Sequence, residues 1–89
     1  MKIKDGFVVE KVGAKYLAVA VGKRADEFNA LIRMNSTGAF LWQQLAEGDI
    51  SRDELVSLML AEYEIDAEKA GADADAFLNK LSEAGLLDE

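Results

Sequence analysis

The spacing of apolar residues changes once along this chain, from alternation in the first part to helical spacing in the rest. Residues 7–12, 15–21 and 28–34 are rich in β-branched and aromatic side chains, which favour half-buried strands. Gly13 and Ala14 separate the first two runs and predict a tight hairpin, because its first turn residue needs a positive φ. The polar stretch before the third run predicts a loop. We therefore expect three antiparallel strands.

Helical spacing begins directly after the third predicted strand and continues almost to the end of the chain. A first helix is predicted over about residues 36–47. A second begins at Ser51, which precedes Glu54 with the spacing of a capping box. A third is predicted over about residues 66–84, and it ends at Gly85, which can take the left-handed conformation of a Schellman ending.

This order of elements predicts an α+β fold, a three-stranded antiparallel sheet followed by a three-helix bundle (βββααα). It is a permutation of the winged helix-turn-helix layout. With 89 residues, the chain is expected to form one domain over residues 1–89. Such a domain buries roughly 60 to 65% of the surface of its unfolded chain, which leaves little room for an enclosed active site.

The amino-acid composition excludes several classes of chemistry. The chain contains no cysteine and no histidine, so it supplies no disulfide, thiolate ligand or imidazole acid or base. Its carboxylates do not follow the spacing of an EF-hand, so neither a metal nor another cofactor is expected. No apolar stretch approaches the ~20 residues that span a bilayer, and the N-terminus lacks a signal-peptide pattern. A cytoplasmic setting without membrane contact is the expectation.

The stretch MNSTGAFLWQQL, residues 34–45, allows a catalytic and a structural interpretation. Ser36 or Thr37 could be a nucleophile, but activation needs a base, and only a lysine or carboxylate could supply it. In the structural interpretation, Asn35 or Ser36 caps the first helix, and Gly38 lets strand and helix approach closely. The absence of histidine favours the structural interpretation.

Two other functions remain open from the residues alone. A winged-helix layout suggests a DNA-binding regulator, but the candidate recognition helix, residues 66–84, carries five acidic residues against two lysines. Phosphates would repel such a helix. A small enzyme could instead use the carboxylates around the second helix boundary, at Glu62, Glu64, Asp66 and Glu68. We expect these carboxylates to be solvated, because an acidic first turn is favourable at a helix N-terminus.

The exposed edge of the third strand suggests a different partner. It offers unpaired backbone groups that a guest segment can complete by strand addition. A groove between this strand and the third helix would be bordered by Asp73, Phe77, Lys80 and Ala84. Phe77 would be either an apolar contact for the guest or a core residue. Arg33, Asp73 and Lys80 could select charges on the guest.

The run IRMNSTGAFLWQQL, followed by SRDELVSLMLAEYEID and ADAFLNKLSEAGLL, resembles the PqqD family, small proteins named for pyrroloquinoline quinone biosynthesis. Its most specific element is the pattern hydrophobic-Asn-x-Thr-Gly-Ala-x-hydrophobic-Trp, which residues 34–42 match. The resemblance extends from about Phe7 to Leu87.

The resemblance implies a non-catalytic peptide-binding module, the recognition element for precursors of ribosomally made, post-translationally modified peptides. Members bind a precursor's leader as an added strand between the third strand and third helix, and present it to a modifying enzyme, often a radical S-adenosylmethionine protein. No nucleic acid partner is expected. The protein is expected to be a monomer or a homodimer, because an exposed strand edge can pair with its twin. By position, the expected peptide-binding residues are Phe28, Asn29, Ala30, Leu31, Ile32, Arg33, Asp73, Phe77, Lys80 and Ala84.

Overall fold

The computed structural model describes residues 1–27 and 32–88. It confirms an α+β fold in which a three-stranded antiparallel sheet precedes three long helices. The elements in chain order are β1 (Lys2–Ile3), β2 (Phe7–Val12), β3 (Lys15–Ala20), α1 (Arg24–Glu27), β4 (Ile32–Met34), α2 (Ser36–Glu47), α3 (Arg52–Glu62), α4 (Ala67–Glu83) and β5 (Leu87–Asp88).

The three-stranded sheet has the order β2-β3-β4, and both pairs are antiparallel. The β2–β3 hairpin turns at Gly13, whose φ of 63° confirms the predicted left-handed turn residue. Leu17 on β3 lies opposite Arg33 on β4. The predicted third strand began at residue 28, and its first part lies outside the described residues. Within the described sheet, β4 is an edge strand.

Two features of the fold were not predicted. β1 pairs with β5, with Ile3 opposite Leu87, and strands of two residues are too short to show alternation in a sequence. The stretch before β4, expected to be a loop, instead contains the single helical turn α1. Arg24 on this turn donates from Nε to the backbone oxygen of Asp5 at 2.9 Å and from its terminal nitrogen to the Asp5 carboxylate at 3.0 Å.

Each long helix begins with a side-chain cap. Asn35 accepts a backbone N–H at 2.8 Å at the start of α2. Ser51 and Glu54 form the predicted reciprocal capping box of α3. Asp66 accepts a backbone N–H at 2.7 Å at the start of α4. These local contacts satisfy donors that have no partner within the helix.

The last helix ends in the predicted Schellman motif. Gly85 has a φ of 74°, and its N–H donates to Ser82 O at 3.0 Å. The N–H of Leu86 donates to Leu81 O, also at 3.0 Å. Leu86 is buried in the core, so this ending directs the chain from α4 into β5.

The core lies between the inner face of the sheet and the three long helices. Two aromatic side chains of α2 pack in different directions. Trp42 meets Phe7 of β2 edge-on with 5.8 Å between ring centroids, and Phe40 meets Tyr63 beyond α3 at 5.6 Å. These contacts hold α2 between the sheet and the end of α3. The largest fully buried side chains are Leu41, Leu45, Leu55, Met59, Leu81 and Leu86.

Candidate binding cleft

A cleft of about 560 Å³ runs between the edge strand β4 and helix α4. The start of α2 and the segment that joins α3 to α4 also contribute to its walls. The described residues that line the cleft are Arg33, Met34, Asn35, Thr37, Gly38, Leu41, Tyr63, Ile65, Lys69, Asp73, Ala76, Phe77 and Lys80.

Gly38 allows three elements to approach one another beside the cleft. A Cβ atom on this residue would lie 3.1 Å from the Met34 Cβ on β4 and 3.4 Å from a ring carbon of Phe77 on α4. Carbon atoms at ordinary contact are about 3.5–4.0 Å apart, so a side chain here would push the elements apart. This geometry confirms the predicted role of Gly38 in the close approach of strand and helix.

Phe77 belongs both to the core and to the wall of the cleft. Its side chain is 8% exposed and packs in the main hydrophobic cluster. The same residue lines the cleft. The two roles left open by the sequence are therefore compatible, because one surface of the ring is buried while another faces the cleft.

The edge of β4 presents backbone groups to the cleft at Arg33. The ammonium of Lys80 on α4 donates a hydrogen bond to Arg33 O, so this carbonyl points away from β3. In an antiparallel ladder the N–H and C=O of one residue point to the same side. Both backbone groups of Arg33 therefore face the cleft, and the hydrogen bond from the Lys80 side chain, here called the Lys80 bridge, crosses it.

The charge of the cleft differs in sign from the charge of the whole protein. Three cationic side chains and one carboxylate line it, while the chain has a formal charge of −7. Lys69 lies 3.4 Å from the Asp73 carboxylate, one helical turn away. In the described part of the chain, neither Arg33 nor Lys80 forms an ion pair with a carboxylate. The cleft is therefore a locally positive region of an acidic surface.

The arrangement does not match the two catalytic hypotheses. The carboxylates of the first hypothesis are exposed and do not line the cleft: Glu62, Glu64, Asp66 and Glu68. Asp73 is the one carboxylate among the described residues that line it, whereas a paired acid and base would need two. Outside the cleft, a hydrogen bond from Arg52 lowers the pKa of Asp75, the direction opposite to that of a catalytic acid. In the described structure neither Ser36 nor Thr37 hydrogen-bonds through its hydroxyl to a basic side chain, which a nucleophile would need.

Residues 1–27 and 32–88 contain neither a metal-binding cluster nor a membrane-spanning helix. No group of three or more carboxylate, histidine or cysteine side chains in these ranges could hold a metal ion. No helix in them is both long enough and apolar enough to cross a membrane.

The predicted site residues fall into three groups. Arg33, Asp73, Phe77 and Lys80 come together at the cleft. Ile32 and Ala84 do not line it; both are half-buried and pack against the core. The remaining predicted positions, residues 28–31, lie outside the described residues.

Several lining residues were not predicted. Lys69 could have been found from its spacing, because it lies one turn before Asp73 on the same helix face. Ala76 has no side-chain chemistry to mark it. Tyr63 and Ile65 lie in the connection between α3 and α4, and helical periodicity carries no information about where a connection packs.

The fold and the cleft together define a small domain in which an edge strand and the last long helix border a positively charged cleft. The sequence model of the family described as coenzyme PQQ synthesis protein D (PqqD) matches residues 9–87. The chain therefore belongs to the PqqD family.

Two solved structures share this fold. The structure of TbiB1 in complex with the TbiA(beta) leader peptide has 25% sequence identity and a TM-score of 0.73, and the match covers 99% of this chain and 95% of that chain. Lasso peptide synthetase B1 complexed with the leader peptide has 20% identity and a TM-score of 0.68, over 96% of this chain and 93% of that one. No curated protein matches the chain significantly.

Proposed function

We propose that this protein binds the leader of a ribosomally made precursor peptide as an added strand on β4, in the cleft beside α4. The observation that carries the proposal is the backbone edge at Arg33, which faces α4 across the cleft, in a fold shared with TbiB1, whose structure contains a leader peptide. Membership of the PqqD family supports the same function.

The two walls of the cleft would contribute differently to binding. Main-chain hydrogen bonds to β4 supply affinity that is largely independent of the guest sequence. The facing wall combines apolar surface at Phe77 and Tyr63 with charge at Asp73 and Lys80. Alternate side chains of an added strand point toward this wall, so it would select among guest sequences.

The protein would act by proximity, without turnover of its own. Tethering a flexible precursor close to a modifying enzyme raises the effective concentration into the ~mM range for short connections. The enzyme partner we propose is a radical S-adenosylmethionine protein or another peptide-modifying enzyme in the cytoplasm. The adaptor would act there as a monomer or a homodimer.

Selection from displayed peptides would test this function. The library would tile every short open reading frame of the host genome, so that precursor peptides are represented without prior choice. Wild-type protein is expected to enrich overlapping peptides from one or a few reading frames. Ala76→Glu places a negatively charged side chain at an exposed, cleft-lining position, and it should weaken binding of an enriched peptide at least about tenfold, or 1.4 kcal/mol.

Ala46→Glu is the matched control. Ala46 is an exposed helical alanine on α2, outside the residues that line the cleft. This variant should bind the enriched peptide like wild type, with both affinities measured by fluorescence polarisation. Equal loss of affinity in the two variants would show that the peptide binds elsewhere, and enrichment of no reading frame would refute peptide binding.

A further inference from the structure

The Lys80 bridge occupies an acceptor that a guest strand needs. An added strand would place a backbone N–H against Arg33 O, and the ammonium of Lys80 already donates to this oxygen. Both residues are exposed, so water can replace the bond at little cost. A backbone N–H of the guest would therefore compete with Lys80 for Arg33 O.

The carboxylates near Lys80 are poorly placed to pair with its ammonium after it leaves Arg33 O. Asp73 lies about two helical turns from Lys80 and already pairs with Lys69. Among positions three or four residues from Lys80 on α4, only Glu83 is ionisable. An ion pair within one helix is weaker when the lysine precedes the glutamate than when the glutamate comes first. Glu83 also does not line the cleft. The unpaired ammonium would face the guest.

We infer that the guest segment carries an aspartate or glutamate beside the residue that bonds to Arg33, and that Lys80 exchanges the Arg33 carbonyl for this carboxylate on binding. The inference rests on the proposed function. It is supported by the charge of the cleft, in which Arg33, Lys69 and Lys80 outnumber Asp73. Lys80 would cover the strand edge in the free protein and select an acidic leader in the complex.

The same exchange explains how a free edge strand is kept from unwanted pairing. Exposed strand edges recruit other strands, and lysine is one of the residues that discourage this. An incoming segment that lacks a carboxylate would remove the Lys80 bridge without replacing it. The protein would therefore bind segments without a carboxylate less tightly than acidic segments.

Peptide selection with charge-altered variants tests the inference. The probe is a displayed library of random peptides of roughly 12 residues, long enough to hold a strand of usual length. Wild-type protein should enrich Asp or Glu at one position of the aligned peptides. Lys80→Glu should lose this preference or replace it with Lys or Arg. Lys15→Glu, which makes the same charge change at an exposed position on β3 outside the cleft, should keep the wild-type preference.

Affinities of one enriched peptide complete the test. Replacing its acidic residue by alanine should raise Kd about fivefold in wild type, the upper range for an exposed ion pair. In Lys80→Met, which removes the charge and retains a long side chain, the same peptide change should have almost no effect. Thermal unfolding of each variant verifies that it is folded.

The outcomes separate this inference from the proposed function. Enriched peptides with no acidic position, or with an acidic preference that Lys80→Glu retains, would overturn the role of Lys80 while peptide binding stands. Failure of wild type to enrich any peptide would overturn both.

Discussion

Replacing Gly38 by alanine perturbs a point where β4, α2 and α4 approach one another closely. The added Cβ would lie 3.1 Å from Met34 Cβ, 3.4 Å from the Asn35 Oδ1 atom that caps α2, and 3.4 Å from a Phe77 ring carbon. Met34 Cβ is attached directly to the strand backbone, so rotation of a side chain cannot relieve this contact. The strand and helix must move apart by a few tenths of an ångström.

Two opposing contributions determine the size of the effect. Alanine is favoured over glycine in a helix by up to ~1 kcal/mol. Overpacking of a well-packed region costs about 1–3 kcal/mol, and Met34 and Phe77 are both buried. We expect a net loss of about 1–2 kcal/mol in the free energy of unfolding, or roughly 5–10 °C in Tm for a domain of this size.

Urea denaturation followed by tryptophan fluorescence would measure this loss. Trp42 is the only tryptophan and is 4% exposed, so its emission reports directly on unfolding. Gly48→Ala is the matched control, because no atom lies within 4 Å of a Cβ at that position. The control should stay within about 0.5 kcal/mol of wild type. If Gly38→Ala were as stable as wild type, the close approach would not constrain the fold.

Two further predictions concern residues of α4. Asp75→Asn should lower the free energy of unfolding at about pH 7, because the hydrogen bond from Arg52 lowers the pKa of Asp75 in the folded protein. The stabilisation by the Asp75 carboxylate is present above its unfolded pKa of ~3.9 and is lost as the pH falls through the lowered pKa. Urea midpoints should therefore differ between wild type and Asp75→Asn at neutral pH and converge as the pH falls through the lowered pKa of Asp75, and a difference that persists below that pKa would contradict the ion-pair origin. Phe77→Ala should cost about 3–5 kcal/mol of stability, whereas Phe77→Leu should keep the domain folded and weaken peptide binding. Equal urea midpoints for wild type and Phe77→Ala would show that the ring is not part of the core.

The helix boundaries were predictable because they depend on contacts between near neighbours. The capping box of Ser51 and Glu54 joins residues three apart, and the Schellman ending at Gly85 joins residues within one turn. The hairpin at Gly13 is likewise local, since a positive φ strongly favours glycine. The exposed edge of the third predicted strand added the expectation of a cleft beside it, and the resemblance to the PqqD family implied that a leader peptide binds there.

Periodicity, spacing and composition were sufficient to predict the three-stranded sheet, the three long helices after it, the capping box of α3 and the absence of thiol and imidazole chemistry, because each is encoded locally. Which residues share the cleft depended on tertiary packing. It brought Lys80 to Arg33 O across 47 positions, placed Tyr63 and Ile65 in the wall, and paired β1 with β5 at opposite ends of the described chain. These contacts depend on how whole elements pack against one core, and no local pattern records that geometry.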